Sequence, residues 1–355
     1  MPRPVLRLGL SLSPTWLRGA AWRREDSRVE DLYTARDLVR AAVDAEAAGV
    51  DFVFKPDAPS LDVAALAGDP GFSGPEPTVL LTAVAAVTSR IGLVTTVSTT
   101  FAHPYATART LYSLDQLSGG RVGWNAVTAL GGHEQYLRGE MPSSSERYAR
   151  ALELVDVVQR LGESFPPEAV IVDREQGRYA DVGLIRRIDH DGDHFRVAGP
   201  LTTPARGRLP LLQAGGSPAG RDLAARVADG VFAATPDADD GVALRRDLAT
   251  RAVAHGRDAD AVAVLPGLSL FLAGTRPAAR ELFERSAGRR GAAHWTVVGT
   301  PDDAAEQIAD RAAAGALDGV IALPGGSVDS LRLFLQEVVP ALDAAGLHAG
   351  GRPWW

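Results

Sequence analysis

The sequence predicts an α/β fold, a (β/α)8 TIM barrel with insertions. Eight short apolar segments of strand length recur along the 355 residues, and segments with helical spacing of their apolar residues separate them. A chain of this length can form two domains or one large barrel. Because the alternation of strand and helix continues from end to end, it favours one barrel, whose site lies on the loops that follow the strands.

The first strand shows the period of two most clearly, because leucines occupy alternate positions from Leu6 to Leu12. The first helix ends at Gly49, a typical C-cap residue. The eight predicted strands cover residues 6–12, 50–54, 91–99, 121–127, 210–214, 230–234, 262–274 and 318–323. The predicted helices cover residues 31–49, 78–88, 105–117, 146–162, the segment after Ser217, 238–255, 277–287, 302–314 and 328–345.

Two segments interrupt this alternation within the single barrel domain predicted for residues 1–355. Residues 178–199 are predicted to form a hairpin insertion that turns at Asp191-Gly192. Residues 286–300 are predicted to form a mobile loop, because their first part is rich in glycine and arginine. Such a loop beside a barrel mouth is a lid in some proteins and a plain surface insertion in others, and the sequence leaves both open.

Composition and charge exclude several classes of function. The formal net charge is −7 with both signs mixed, so no basic surface for nucleic acid or an anionic membrane is predicted. No run approaches the roughly 18 apolar residues of a membrane span, and the N-terminal alternation does not fit a signal peptide. The sequence therefore predicts a cytoplasmic protein. The absence of cysteine excludes disulfides, thiol nucleophiles and cysteine metal sites.

Sequence motifs for metal, hydrolase and nucleotide sites are weak or missing. The segment "DHDGDH" places His190 and His194 on one face only if it is helical, whereas Asp191-Gly192 predicts a turn. No G-x-S-x-G elbow, P-loop or complete G-x-G-x-x-G motif occurs. No metal site is predicted.

Two similar loops compete for the role of a phosphate site. Each has the order Gly-Gly-Ser at a helix start, where free backbone N–H groups bind anions; one ends at Ser217 and the other at Ser327. Phosphate sites in these barrels often follow strands seven and eight, which favours Ser327. Charge favours Ser217, because Arg221 lies one turn further on whereas Asp329 follows Ser327. The first loop is equally consistent with an ordinary capped helix.

Three successive strand ends carry polar side chains. Asp57 follows the second strand, the third strand contains the hydroxyl-rich "VTTVSTT" (residues 94–100), and Asn125 lies in the fourth strand. Taken alone, Asp57 is explained by solvation of a loop, and threonine fits strands well. A buried amide without a partner costs about 1–3 kcal/mol, however. The convergence of these groups on one barrel mouth therefore predicts a bound ligand.

The segment "AAVTSRIGLVTTVSTTFAHPYATARTLYSLDQLSGGRVGWNAVTA" (residues 85–129) resembles the bacterial luciferase-like flavin monooxygenases. The similarity is greatest to the branch of nitrilotriacetate monooxygenase component A, dibenzothiophene-sulfone monooxygenase and pyrimidine monooxygenase. It extends over roughly residues 5–275, because further matching segments follow in the same order. They are "AWR" (21–23), "SERYARALELVDVV" (145–158), "GPL" (199–201) and "LLQAGGSPAGRDLAARVADGVF" (211–232).

The resemblance implies a luciferase-like TIM barrel that binds FMN as FMNH2 and uses it to activate O2. A separate NAD(P)H:flavin reductase supplies the reduced flavin in such systems. Asp57 is then expected beside the flavin. Thr96 and Asn125 are expected to be the catalytic pair, flanking the reactive edge of the flavin and the oxygen pocket.

The resemblance also implies which residues hold the ribityl-phosphate part of the cofactor. Glu134, Arg147 and Tyr148 are expected on the ribityl-phosphate side, with Gly216 and Ser217 at the phosphate. It therefore agrees with the charge argument in choosing Ser217 over Ser327. The small-molecule substrate is expected to be organic, with sulfur and nitrogen compounds as candidates, and the assembly is expected to be a homodimer or homotetramer.

Two other functions remain open on this scaffold. One is an F420-dependent oxidoreductase, which uses the same barrel without activating O2. The other is a non-catalytic flavin-binding protein. The pairing of Thr96 with Asn125 and the string "SGGRVGWN" (residues 118–125) favour FMN chemistry.

Overall fold

Eight parallel strands close into a barrel, which confirms the predicted (β/α)8 fold. The computed structural model describes residues 5–286, 294–351 and 353. The ring closes because the last strand pairs with the first, with Leu8 opposite Val320. The barrel strands are β1 (Arg7–Ser11), β2 (Phe52–Lys55), β3 (Gly92–Ser98), β4 (Val122–Val127), β5 (Leu211–Gln213), β6 (Gly230–Ala233), β7 (Ala263–Leu272) and β8 (Gly319–Pro324).

The helices surround this ring at positions close to those predicted. The last predicted helix is divided by a π-helical turn, Phe334–Val338. The α-helices are α1 (Arg36–Ala47), α2 (Val63–Leu66), α3 (Pro77–Ala85), α4 (Pro104–Ser118), α5 (Ser144–Gly162), α6 (Pro218–Val227), α7 (Ala238–Ala254), α8 (Arg276–Ser286), α9 (Pro301–Ala313), α10 (Val328–Leu333) and α11 (Val339–Ala344).

Successive residues of each strand point alternately to two separate cores. One cluster lies inside the barrel and the larger one lies between the strands and the helices. The inner cluster consists of Phe52, Phe54, Val94, Leu212, Ala263, Leu265 and Ile321. Any residue two positions further along one of these strands therefore faces the same interior, nearer the mouth.

Arg121 fastens two helix ends beneath β3 and β4. Its side chain is buried, 6% exposed, and donates to the carbonyl oxygens of Ala85, Thr88, Ile91 and Ser118 at 2.7–3.3 Å. These carbonyls belong to the C-terminal ends of α3 and α4 or follow closely after α3, where helix carbonyls lack partners of their own. The arginine of "SGGRVGWN" is thus a structural residue.

The predicted hairpin over residues 178–199 is only partly correct. Arg178–Ala180 instead pairs back with Val170–Asp173 in an earlier hairpin. A short ladder of His190–Asp191 with Arg196–Val197 does enclose the predicted turn. His190 lies between Glu153 and Arg160 of α5, with Nε2 2.9 Å from the carboxylate and Nδ1 3.0 Å from the guanidinium. His190 of "DHDGDH" therefore attaches the hairpin to α5.

The predicted mobile loop over residues 286–300 is wrong for its last part. Trp295–Gly299 is a strand that pairs in parallel with Leu268–Leu272 of β7. Because β6 pairs only with the first part of β7, up to Pro266, the longer β7 has a free edge that this outer strand covers. Residues 287–293 lie outside the described residues, and Ser286 ends α8.

The described residues contain neither a membrane-spanning helix nor a metal cluster. No helix there is long and apolar enough to cross a membrane. No three histidine, cysteine, aspartate or glutamate side chains there are grouped around a common metal position.

Candidate active site

Thr96 and Asn125 lie together inside the barrel. They are register partners on β3 and β4, and Asn125 Nδ2 donates to Thr96 Oγ1 at 3.1 Å. Thr96 follows Val94 by two positions and Asn125 pairs with Leu212, so both face the interior beyond the apolar cluster. The side chains are only 4% and 2% exposed. The structure thus brings the two predicted catalytic residues into direct contact.

This polar wall has unused hydrogen-bonding capacity. Asn125 Oδ1 and Ser98 Oγ are buried, and neither has a partner among the described residues. Ser98 lies two positions beyond Thr96, on the same face of β3. Buried polar atoms without partners are uncommon, because each costs about 1–3 kcal/mol. The wall therefore fits a ligand with polar edge atoms, such as a flavin ring.

An aromatic wall lies elsewhere on the inner face. The ring of Phe232 on β6 lies 5.2 Å from the ring of Phe54 on β2 and 5.2 Å from the imidazole of His294. Gly267 makes room for the imidazole, since a Cβ there would lie 2.6 Å from His294 Nδ1. Burial lowers the pKa of His294, against a smaller opposing effect of the Ala233 backbone. The imidazole is therefore favoured in its neutral form.

The sequence did not identify His294 as a site residue. It follows the glycine- and arginine-rich segment and has no ligand spacing with another histidine. No local signal could have found it, because its contacts with Phe232 and Gly267 join distant parts of the chain.

Asp57 lies just beyond the end of β2, beside the only lysine of the chain. Partial burial raises the pKa of the Asp57 carboxyl, and the backbone of Ala58 and the charge of Lys55 oppose this rise. Lys55 is itself buried, 5% exposed, with Nζ donating to the carbonyl of Pro56 at 3.2 Å. Burial lowers the pKa of Lys55. The Asp57 side chain thus keeps part of its surface in solvent at the mouth, with the buried Lys55 behind it.

Tyr148 and Ser217 meet at the start of α6. The two hydroxyl oxygens are 3.1 Å apart, and Ser217 Oγ accepts a hydrogen bond from the backbone N–H of Gly220 at 3.1 Å. Gly216 and Ser217 are exposed, and a Cβ on Gly216 would contact no other atom within 4 Å. The N-terminus of this helix therefore has open space for an anion.

The other residues predicted on the ribityl-phosphate side of the flavin make their contacts elsewhere, and not with Tyr148 or Ser217, among the described residues. Glu134 is exposed, with Oε1 3.8 Å from Nδ1 of His133, and Arg147 donates to the carbonyl of Pro142 at 2.5 Å. Arg221 forms an ion pair with Asp247 at 3.2 Å. The charge argument for this loop is therefore weaker than the sequence indicated, because Asp247 already pairs with Arg221.

The second Gly-Gly-Ser loop is closed by neighbouring side chains. A Cβ on Gly325 would lie 2.7 Å from the ring of Phe271, and one on Gly326 would lie 2.8 Å from Leu282. Ser327 is 4% exposed and begins a helix of only six residues. Space therefore favours the loop at Ser217 for a phosphate group.

Comparison with known proteins identifies the family. Residues 18–296 match the family model described as luciferase-like monooxygenase. The chain belongs to this family. The resemblance inferred from residues 85–129 is thereby confirmed.

Individual members show how far the similarity extends. Nitrilotriacetate monooxygenase component A of Aminobacter aminovorans is 41% identical over 213 residues, 59% of this chain and 47% of the relative. N-acetyl-S-(2-succino)cysteine monooxygenase of Bacillus subtilis strain 168 is 28% identical over 414 aligned positions, 96% of this chain and 93% of the relative. The match thus spans about half the length of the first relative and nearly all of the second.

A solved structure agrees with this assignment. The crystal structure of the riboflavin lyase RcaE, which contains modified FMN and the substrate riboflavin, superposes with a TM-score of 0.86 at 27% identity. The superposition covers 98% of this chain and 93% of the lyase. The chain therefore shares its fold with this lyase over nearly the whole length of both.

Proposed function

We propose that this protein is the oxygenase component of a two-component, FMNH2-dependent monooxygenase. It would take reduced FMN from a separate NAD(P)H:flavin reductase and transfer one oxygen atom of O2 to a small organic substrate. The observation that carries the proposal is the buried Thr96–Asn125 pair inside the barrel of a family member, where Asn125 Oδ1 has no partner among the residues that the structure describes. The chemistry that FMNH2 would supply when bound is its own reaction with O2, which no side chain can carry out.

The residues of this chain would bind, orient and shield the cofactor. Tyr148, Gly216 and Ser217 would hold the phosphate at the open N-terminus of α6, where the helix dipole favours an anion. Phe54 and Phe232 would exclude water from the interior.

The remaining predicted contacts are retained in the proposal. Asp57 would lie beside the flavin at the end of β2. Glu134 and Arg147 would reach the ribityl-phosphate side after a change of side-chain rotamer, since Glu134 is next to His133 and Arg147 donates to the Pro142 carbonyl in the structure.

The names of two relatives indicate a class of substrate. Nitrilotriacetate and N-acetyl-S-(2-succino)cysteine are both carboxylated molecules with a nitrogen or sulfur atom. We therefore propose a small nitrogen- or sulfur-containing substrate for this chain. The homodimer or homotetramer and the cytoplasmic location remain predictions.

Anaerobic titration followed by a pulse of O2 tests the proposed function. FMNH2 is expected to bind with a micromolar or lower dissociation constant, more tightly than oxidised FMN or reduced F420, and the bound FMNH2 should react when O2 is added. A preference for F420 of tenfold, about 1.4 kcal/mol, would contradict the assignment. Tight binding of oxidised FMN without O2-dependent turnover would indicate a flavin-binding protein instead.

Substitution at the two Gly-Gly-Ser loops tests the position of the phosphate. Ser217→Asp is expected to weaken FMN binding at least about tenfold, because a carboxylate would repel the phosphate, whereas Ser327→Asp should change it by less than about threefold. Ser217→Asn is the matched control, since asparagine also caps helices but carries no charge. Calorimetry measures the FMN dissociation constants of the variants. If Ser327→Asp weakened FMN binding more than Ser217→Asp, the phosphate would lie at Ser327.

A further inference from the structure

A second cavity opens on the same face of the barrel as the proposed flavin site. Its volume is about 800 Å³, and it lies between the turn Ala21–Arg23 after β1, the end of β7, α8 and α10. Strands β7, β8 and β1 are consecutive in the ring. The predicted flavin contacts follow β2 to β5 instead. The cavity therefore lies on the opposite side of this face, outside the ring of strands, where Leu272 and Leu333 belong to the outer core.

The cavity combines an apolar floor with a cationic rim. Leu272, Leu282 and Leu333 supply the apolar surface. Four arginines but only two carboxylates line it, which leaves an excess of two positive charges. These charged residues are Arg23, Arg24, Arg285, Arg332, Glu281 and Asp329.

Three of the four guanidinium groups already have an acidic partner. Arg24 pairs with Asp26 at 2.8 Å, Arg285 with Glu281 at 2.5 Å and Arg332 with Asp329 at 3.1 Å. The Arg23 side chain has no hydrogen bond or ion pair in the part of the chain that the structure describes. An incoming anion would therefore find one cation that is not neutralised.

The second Gly-Gly-Ser loop forms part of the cavity wall. Gly326 permits the close approach of Leu282, and Ser327 lines the cavity. Ser327 Oγ accepts a hydrogen bond from the backbone N–H of Asp329 at 3.1 Å, which leaves its own hydrogen free to donate. The loop that steric access disfavours for a flavin phosphate thus contributes a donor to this second cavity.

We infer that this cavity is a separate binding site for a small organic anion, a carboxylate or sulfonate with an apolar body. An inorganic anion would leave the leucine floor unused, and a neutral apolar molecule would leave Arg23 unused. The volume lies within the range of known small-molecule sites. The inference does not rest on the proposed flavin chemistry, because none of the predicted flavin contacts lines the cavity.

Fluorescence titration with 8-anilinonaphthalene-1-sulfonate tests this site, with N-phenyl-1-naphthylamine as the same aromatic body without the sulfonate. We expect one sulfonate probe to bind per chain. Saturating FMN should change the dissociation constant of this probe by less than about threefold. The neutral probe should bind at least about tenfold more weakly than the sulfonate.

Two variants and a control locate the probe. Arg23→Ala should weaken binding of the sulfonate at least about fivefold by removing the unpaired cation, and Ala278→Trp at least about tenfold by filling the cavity from an exposed position on α8. Arg187→Ala, at a distant exposed arginine, should leave binding unchanged. Any one of four results would overturn the inference. They are absence of sulfonate binding, displacement of the sulfonate by FMN, equal binding of the neutral probe, and unchanged binding in both variants.

Discussion

Replacement of Asn125 by leucine is expected to slow the reaction of the bound FMNH2 with O2 at least about a hundredfold, or 2.7 kcal/mol, while FMNH2 affinity changes by less than about threefold. Both side chains branch at Cγ and leucine is somewhat larger, so the barrel interior should stay filled. What is lost is the amide, which donates to Thr96 and has an unpartnered Oδ1 inside the barrel. An interaction used mainly in the reacting complex affects rate more than binding.

Stopped-flow absorbance after mixing the anaerobic complex with O2 measures the rate, and calorimetry measures the affinity. Thr96→Val should also slow the reaction, because it removes the hydroxyl that accepts from Asn125. Thr95→Val is the matched control on the same strand: Thr95 bonds to Thr78, away from the interior, so its loss should affect stability and not the rate. Equal losses of rate and affinity in Asn125→Leu would make Asn125 a binding contact, and normal kinetics would make it structural.

Replacement of Arg121 by alanine is expected to lower the free energy of unfolding by about 3–5 kcal/mol. The guanidinium satisfies four backbone carbonyls and the hydroxyl of Thr88, all near the ends of α3 and α4. Alanine would leave the buried carbonyls without donors. Arg121→Lys should recover only part of the loss, because an ammonium cannot reproduce the planar fork of donors.

Urea denaturation followed by circular dichroism measures this loss. Arg90→Ala is the control, because Arg90 is exposed and its side chain makes one hydrogen bond, to the carbonyl of Glu46 at 3.3 Å. It should cost less than about 1 kcal/mol. If Arg121→Ala proved as mild as Arg90→Ala, water would have to satisfy the freed carbonyls, and the structural role of Arg121 would be wrong.

The sequence by itself determined the barrel and the centre of its candidate site. Apolar periodicity is a local property, so it located all eight strands and the helices between them. Asn125 was also recognisable locally, because it interrupts the apolar buried side chains of β4, whereas the family resemblance singled out Thr96 within the hydroxyl-rich β3. Parallel pairing then places their strand ends at one mouth, as the 3.1 Å hydrogen bond shows.

Only the tertiary structure decided between features that look alike in sequence. The two Gly-Gly-Ser loops differ because Phe271 and Leu282 close the second, and both side chains come from elements distant in sequence. The sequence indicated that Arg221 adds positive charge one turn beyond Ser217, and α7 places Asp247 3.2 Å from it. His294 joined the interior through Phe232, and the outer strand Trp295–Gly299 formed because β7 extends beyond β6. Steric access and ion pairing depend on which distant residues the packing of helices against strands brings together, and a local pattern carries no record of these neighbours.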